Sequence, residues 1–307
     1  MKIKLEKTLI ITFITLILIS FNVISEERSK DVLACNEAVN KGDAETALQY
    51  AETILEKQSA DHEGLLCKGR ALKIQGKYSE ALATMQSAVE AAKAPFAKTI
   101  TYILIGNLHQ SNNKPEEAIA SYTKSLEICA QTGNQTYTRI NHNLIGDTYK
   151  KQKDLNAALD SYATGLRLAN NDNERAESFE NLAKVYNAQG NHDKAIEFQL
   201  KAVVMQKQAG SLTAYADSSL LLGQYFYDAK NYPEAERHYK KLVKFAKDNG
   251  GAYYEASANY HLAEAMYANG DKAGAQALIV GAREQAEKIG AKQLAAEIAV
   301  AEQKLKN

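Results

Sequence analysis

TYILIGNLHQSNNKPEEAIASYTKS, residues 101–125, holds two apolar-periodic runs around a polar turn. In the second run Ala118, Tyr122 and Ser125 fall at i, i+4 and i+7, on one helical face. Pro115 lies in the first turn of that run, where a missing N–H costs little. In the first run Ile105-Gly106 is followed three places later by His109. A small residue there lets two helix backbones approach, and a large one fills the space beside it. The stretch therefore reads as a helical hairpin with one apolar stripe on each arm.

The same hairpin recurs along the chain. GDAETALQYAETI from Gly42, GKYSEALATMQSA from Gly76, KDLNAALDSYATG from Lys153 and GNHDKAIEFQLKA from Gly190 repeat the second arm, as do KNYPEAERHYKKL from Lys230 and GDKAGAQALIVGA from Gly270. The aligned alanines are Ala47, Ala81, Ala118, Ala158, Ala195, Ala235 and Ala275, separated by 34, 37, 40, 37, 40 and 40 residues. Pro233 repeats the placement of Pro115. The first arm recurs as Ile145-Gly146 with Tyr149, Leu182-Ala183 with Tyr186, Leu222-Gly223 with Phe226 and Leu262-Ala263 with Met266. Neither arm can bury its stripe alone, so the pairs must stack.

This pattern resembles the tetratricopeptide repeat, whose signature couples Leu-Gly and Tyr on a first helix with Ala and an aromatic on a second. The resemblance covers roughly residues 29–290. The family's early tryptophan is replaced by Leu65, Tyr102, His142 or Phe179, and the proline that usually closes each repeat is missing. The long period looks like the extended bacterial subclass, with inter-repeat loops at 131–134, 208–211 and 248–251. The resemblance implies an all-α, right-handed superhelical solenoid of seven helix pairs. Residues 291–307 read as one more helix, capping the stack with a charged outer face.

Composition agrees with helices. Three prolines stand against seventeen tyrosines and no tryptophan in 307 residues. Lys+Arg and Asp+Glu are both 37, so no net charge draws the chain to nucleic acid, and none is expected as a partner. Lys2, Lys4 and Lys7 precede an uncharged apolar run from Leu9 to Ile24, then Ser25 and Glu26-Glu27-Arg28. That is the layout of a secretory signal over residues 1–25, with a repeat domain over 26–307. The periplasm or secretion is the expected address, without membrane insertion after cleavage; the alternative is an uncleaved inner-membrane anchor. Val32-Leu33-Ala34-Cys35 resembles a lipoprotein box, but charges at 26–31 separate it from the apolar run.

Cys35, Cys67 and Cys129 form no disulfide framework by number or spacing. They read as small buried helix residues. A Cys35–Cys67 bridge between neighbouring repeats is the alternative, opposed by the usual distance between helix axes. No hydrolase, phosphate-binding or calcium motif occurs, so no enzyme, cofactor or metal is expected. The histidines, His109 and His142 included, read as packing residues rather than metal ligands.

Family resemblance implies that the first helices form a concave wall that grips a peptide or protein segment. Mapping those helices places Asn107, Asn143, Asp147, Lys184 and Asn187 on the wall, followed by Gln224, Tyr227, Tyr260, Glu264 and Tyr267. Arg70, Lys73, Gln110, Lys150 and Glu180 share that face. The family's Lys/Arg/Asn clamp for a C-terminal carboxylate is incomplete, because Ile103 and Leu144 stand at clamp positions. Tyr227, Tyr260 and Tyr267 suit a binding surface by area and stiffness, and suit inter-repeat packing equally. The expected function is an exported interaction scaffold. The alternative is a sensory or regulatory module; with no signalling domain within the 307 residues, the stand-alone adaptor is preferred.

Overall fold

The computed structural model describes residues 29–306, apart from Gly210 and the side chain of Ala209. The signal reading of residues 1–25 lies outside the described residues. Within them the chain is all α, with no strand. Helix α1 is described over residues 29–41. Then follow α2 (Ala44–Lys57), α3 (His62–Ile74), α4 (Tyr78–Ala91), α5 (Pro95–Ser111), α6 (Pro115–Thr132), α7 (Gln135–Lys151) and α8 (Leu155–Arg167). The remainder are α9 (Asp172–Ala188), α10 (His192–Ala209), α11 (Leu212–Asp228), α12 (Tyr232–Asp248), α13 (Ala252–Ala268), α14 (Lys272–Lys288) and α15 (Lys292–Lys306). Helices α6 and α10 run into stretches expected as loops, to Thr132 and Ala209.

Contacts divide the chain into a unit ending at Tyr137 and a unit beginning at Thr138. In each, consecutive helices pack on one another as solenoid steps do. In the second unit α11 also touches α13, and α13 touches α15. Each unit has several small apolar clusters. In the first, Cys35, Ala38, Ala47, Ala51, Cys67 and Ala71 join α1, α2 and α3, while Leu72, Ala81, Met85, Ile105 and Leu108 join α3, α4 and α5. The second contains a cluster of Ala235, Tyr239, Leu262 and Ala265 and another running through α13, α14 and α15. Helix α15 buries Leu294, Ala295, Ile298 and Ala301 and leaves Lys292, Gln293, Glu297 and Lys304 exposed, as a cap should.

A constant spacing underlies the pairs. The small residues Cys35, Gly69, Gly106, Gly146, Ala183, Gly223 and Ala263 each precede their repeat's alanine by 12 positions. Opposite them, one turn past that alanine, stand Ala51, Met85, Tyr122, Tyr162, Gln199, Tyr239 and Ile279, all buried. The sizes compensate. A Cβ at Gly146 would lie 2.8 Å from the Tyr162 ring, and Gly106 and Gly223 are as tightly faced by Tyr122 and Tyr239. Where the first helix carries alanine, the second carries Gln199 or Ile279 instead of tyrosine. Gln199 donates to the Ser218 carbonyl at 2.8 Å and hydroxyl at 2.9 Å, and its buried Oε1 has no hydrogen-bond partner.

The turns inside the pairs are equally uniform. Gly42, Gly76, Asn113, Lys153, Gly190, Lys230 and Gly270 all have positive φ. After each, the next amide donates back to the fifth residue before it, as in Lys114 to His109 and Asp154 to Tyr149. Asp43, Asp154 and Asp271 then cap the second helix through their carboxylates, and Pro115 and Pro233 take its first turn.

The cysteines depart from the leading expectation. Cys35 and Cys67 are disulfide-bonded, their Cα atoms 6.3 Å apart, while Cys129 is buried and takes no part in that bridge. The expected axis separation supposes ordinary side chains between helices. Here Ala47, Ala51 and Ala71 line the junction and let the backbones draw together.

Two consequences are measurable. Gly223→Ala gains about 1 kcal/mol of helix propensity but forces the Tyr239 ring to move, at about 1–3 kcal/mol. Urea unfolding should show net destabilisation, relieved in Gly223→Ala/Tyr239→Ile, which reproduces the Ala263–Ile279 pair. Opening a bridge across 32 residues should cost about 3–4 kcal/mol in the chain-entropy account. Unfolding with and without reductant, against Cys35→Ser/Cys67→Ser, reads that loss.

Candidate partner-binding surface

In the second unit the first helices α7, α9, α11 and α13 present equivalent positions in register. Asn143, Asp147 and Lys150 correspond to Glu180, Lys184 and Asn187, then to Leu220, Gln224 and Tyr227, then to Tyr260, Glu264 and Tyr267. All but Asn143 are half-buried.

Asn143 is inside, at 6% exposure. Its amide nitrogen points to Glu177 at 3.5 Å, and its oxygen occupies the space a side chain at Gly165 would need. The expectation that it faces a partner is corrected by that hole in α8. Arg139, also buried, donates to Glu177 at 2.7 Å and pairs with Glu174 at 3.4 Å.

Asp147 accepts the Tyr162 hydroxyl at 2.6 Å and Lys150 Nζ at 2.9 Å. Burial, with Asp147 next to it, pushes the Tyr162 phenol well above its usual range. Burial likewise raises the Glu180 carboxyl, against the opposing Ser218 hydroxyl and Lys184, with Asp217 and Glu177 adding to the rise. Asn187 Oδ1 lies 2.8 Å from His192 Nδ1, and its Nδ2 donates to Asp228 at 2.9 Å. Gln224 donates to the other Asp228 oxygen at 2.8 Å. Sequence reasoning did not single out Asp228, although it lies one helical turn beyond Gln224.

The three tyrosines pack on one side. Tyr227 meets the Tyr232 ring edge-on at 5.3 Å and lies against the cluster around Tyr239. Tyr260 and Tyr267 lie against the α13–α15 cluster. The Tyr260 ring is 4.4 Å from His261, whose Nδ1 is 3.1 Å from Glu264. Burial and then the Glu264 carboxylate push the Tyr260 phenol up to about 12, and burial with Glu264 and Asp228 raises Tyr227.

In the first unit Asn107 accepts the Tyr122 hydroxyl at 2.7 Å. It also lines a cleft of about 420 Å³ with Asn40, Arg70, Lys73, Ile74 and Leu104. Arg70 donates to Asn36, and to Asn40 at 3.1 Å. Asn107 and Asp147 thus hold a buried phenol as well as face outward.

The histidines sit in local contacts. His109 Nδ1 is 2.6 Å from the Tyr78 hydroxyl, and His238 Nε2 donates to the Ser219 carbonyl at 3.0 Å. His142 is half-buried, and burial with Arg167 lowers its pKa. Among the described residues no group of His, Cys, Asp and Glu is placed to hold a metal ion. Nor is any described helix long and apolar enough to cross a membrane.

No curated protein matches the chain. Among solved structures it is similar to apo RapI, at 12% identity and TM-score 0.63 over 90% of this chain and 85% of that one. It is similar to the C-terminal part of a TPR repeat-containing protein from Cytophaga hutchinsonii, at 15% identity and TM-score 0.58 over 83% and 95%. BtubC from P. vanneervenii gives 15% identity and TM-score 0.55 over 73% and 92%. At such identities the likeness shows the fold alone. Two tetratricopeptide repeat profiles match the sequence directly, one at residues 34–98 and the other at 98–171 and 174–248. They span well over half of the chain, which therefore belongs to the tetratricopeptide repeat family.

Proposed function

We propose that this chain is an exported adaptor that holds a protein or peptide segment on the first-helix faces of its stacked pairs. Tetratricopeptide repeats in general serve as protein-interaction scaffolds. One observation carries the specific reading. In the second unit, half-buried polar and tyrosine side chains recur in register along α9, α11 and α13, giving spaced donors, acceptors and rings. That is the form of surface an extended or helical segment can follow across successive repeats.

Export is supported by two features. The start of the sequence has the basic-then-apolar signal layout. The Cys35–Cys67 bridge suits an oxidising compartment, where disulfides form and persist. We assign the chain no enzymatic role.

Affinity capture from a periplasmic extract tests the surface. Tyr227→Ala and Tyr267→Ala should reduce recovery of a defined partner about tenfold. Their thermal midpoints should stay within about 2 °C of the parent. A large fall in midpoint would assign the tyrosines to packing alone. Thiol labelling of whole cells tests the compartment: Cys35 and Cys67 should resist alkylation until a reductant is added. Free labelling of both would place the chain in a reducing environment.

A further inference from the structure

The balanced net charge conceals a segregation. Between residues 212 and 229, and again between 251 and 271, there is no lysine or arginine. These stretches contain α11 and α13, with Asp217, Asp228, Glu255 and Glu264. Helix α12 between them carries Arg237, Lys240, Lys241, Lys244 and Lys247 against Glu234, Glu236 and Asp248, an excess of two positive charges. The first helices are therefore acidic and aromatic where their second-helix neighbour is basic.

The carboxylates on this face are held without a resident cation from lysine or arginine. Asp228 takes amide donors from Asn187 and Gln224, at 2.9 and 2.8 Å. Glu264 lies by His261 and the Tyr260 hydroxyl. Neutral donors orient a carboxylate but leave its charge in place.

A second observation concerns the rings. This chain repeatedly sets a lysine over a tyrosine face: Lys114 over Tyr78, Lys124 over Tyr102, Lys150 over Tyr162, Lys194 over Tyr186 and, on this same face, Lys272 over Tyr267, at 5.0–5.6 Å. Among the described residues none lies so over Tyr227 or Tyr260. Those two rings stand beside the carboxylates that have no lysine or arginine partner. Burial and the Glu264 charge keep both phenols protonated across the physiological range, so they remain neutral rings and hydroxyl donors.

We propose that this face docks a lysine- or arginine-bearing segment of a partner protein, with cationic side chains seated against Tyr227 and Tyr260 and paired with Asp228 and Glu264. The charge is complementary, each ring face attracts a cation, and each carboxylate has lone pairs to accept charge-assisted hydrogen bonds. The proposal names the partner chemistry of the adaptor surface and rests on that reading.

Fluorescence anisotropy with the purified chain tests it. The probes are short labelled serine–glycine peptides bearing several arginines, and counterparts with glutamine or glutamate in their place. The arginine peptide should bind most tightly and weaken with salt, and the glutamate peptide should not bind. Glu264→Gln, and Asp228→Asn/Glu264→Gln, should each weaken the arginine peptide, the pair by at least about tenfold. Glu284→Gln, an exposed carboxylate on α14, should leave binding unchanged. Circular dichroism and the thermal midpoint verify folding, and Glu264→Gln alone leaves the Asn187–Asp228–Gln224 contacts intact. Equal binding of the arginine and glutamine peptides, or arginine binding that survives the double variant, would overturn the proposal. A glutamine or glutamate peptide that binds preferentially and is lost in Tyr227→Ala would overturn the basic chemistry yet keep the adaptor surface. No binding of any peptide by the folded chain would count against both.

Discussion

The two helices of each pair touch where a small residue of the first meets the residue one turn past the alanine of the second. The room left by the first residue sets the size of the second. Glycine at 106, 146 and 223 admits a tyrosine ring, whereas alanine at 183 and 263 faces glutamine or isoleucine. Close packing gives this rule its force, since an added methyl group inside a filled seam must displace something. The constant spacing of 12 residues follows from a turn of fixed geometry between the arms. Variation in repeat length is therefore absorbed between pairs, where α6 and α10 lengthen, and not within them.

A buried tyrosine brings a hydroxyl with it, and the hydroxyl needs a partner. Tyr122 finds Asn107 and Tyr162 finds Asp147, each the residue directly after the glycine. The first-helix face and the interior are thus coupled through single side chains. Changing Asn107 or Asp147 would disturb a seam and a surface together. Gln224 is better placed to report on the surface, because its bond to Asp228 lies along it.

The fold was legible because the period repeats the same physical requirement seven times, and errors in one repeat are corrected by the others. The candidate surface was legible as a sequence register, most of whose members are half-buried. What escaped was local. Asn143 sits at a position equivalent to Glu180 and Tyr260, yet Gly165 on the facing helix opens a hole that draws it in. No periodicity announces such a hole. Asp228 was passed over because a single turn separates it from the more conspicuous Gln224 and Tyr227. The disulfide contradicted a general distance between helix axes that alanine-lined junctions do not obey.

Gln199 stands where three other repeats place a tyrosine, and it leaves one amide oxygen without a partner in a seam closed to solvent. A stranded acceptor carries a desolvation penalty of roughly 1–3 kcal/mol, which is refunded whenever water reaches it. Opening the α9–α10 seam at Gln199 therefore recovers a penalty that its tyrosine-filled neighbours do not carry. In a linear array, where cooperativity passes only from one neighbour to the next, such a step is where breathing starts and where hydration first invades.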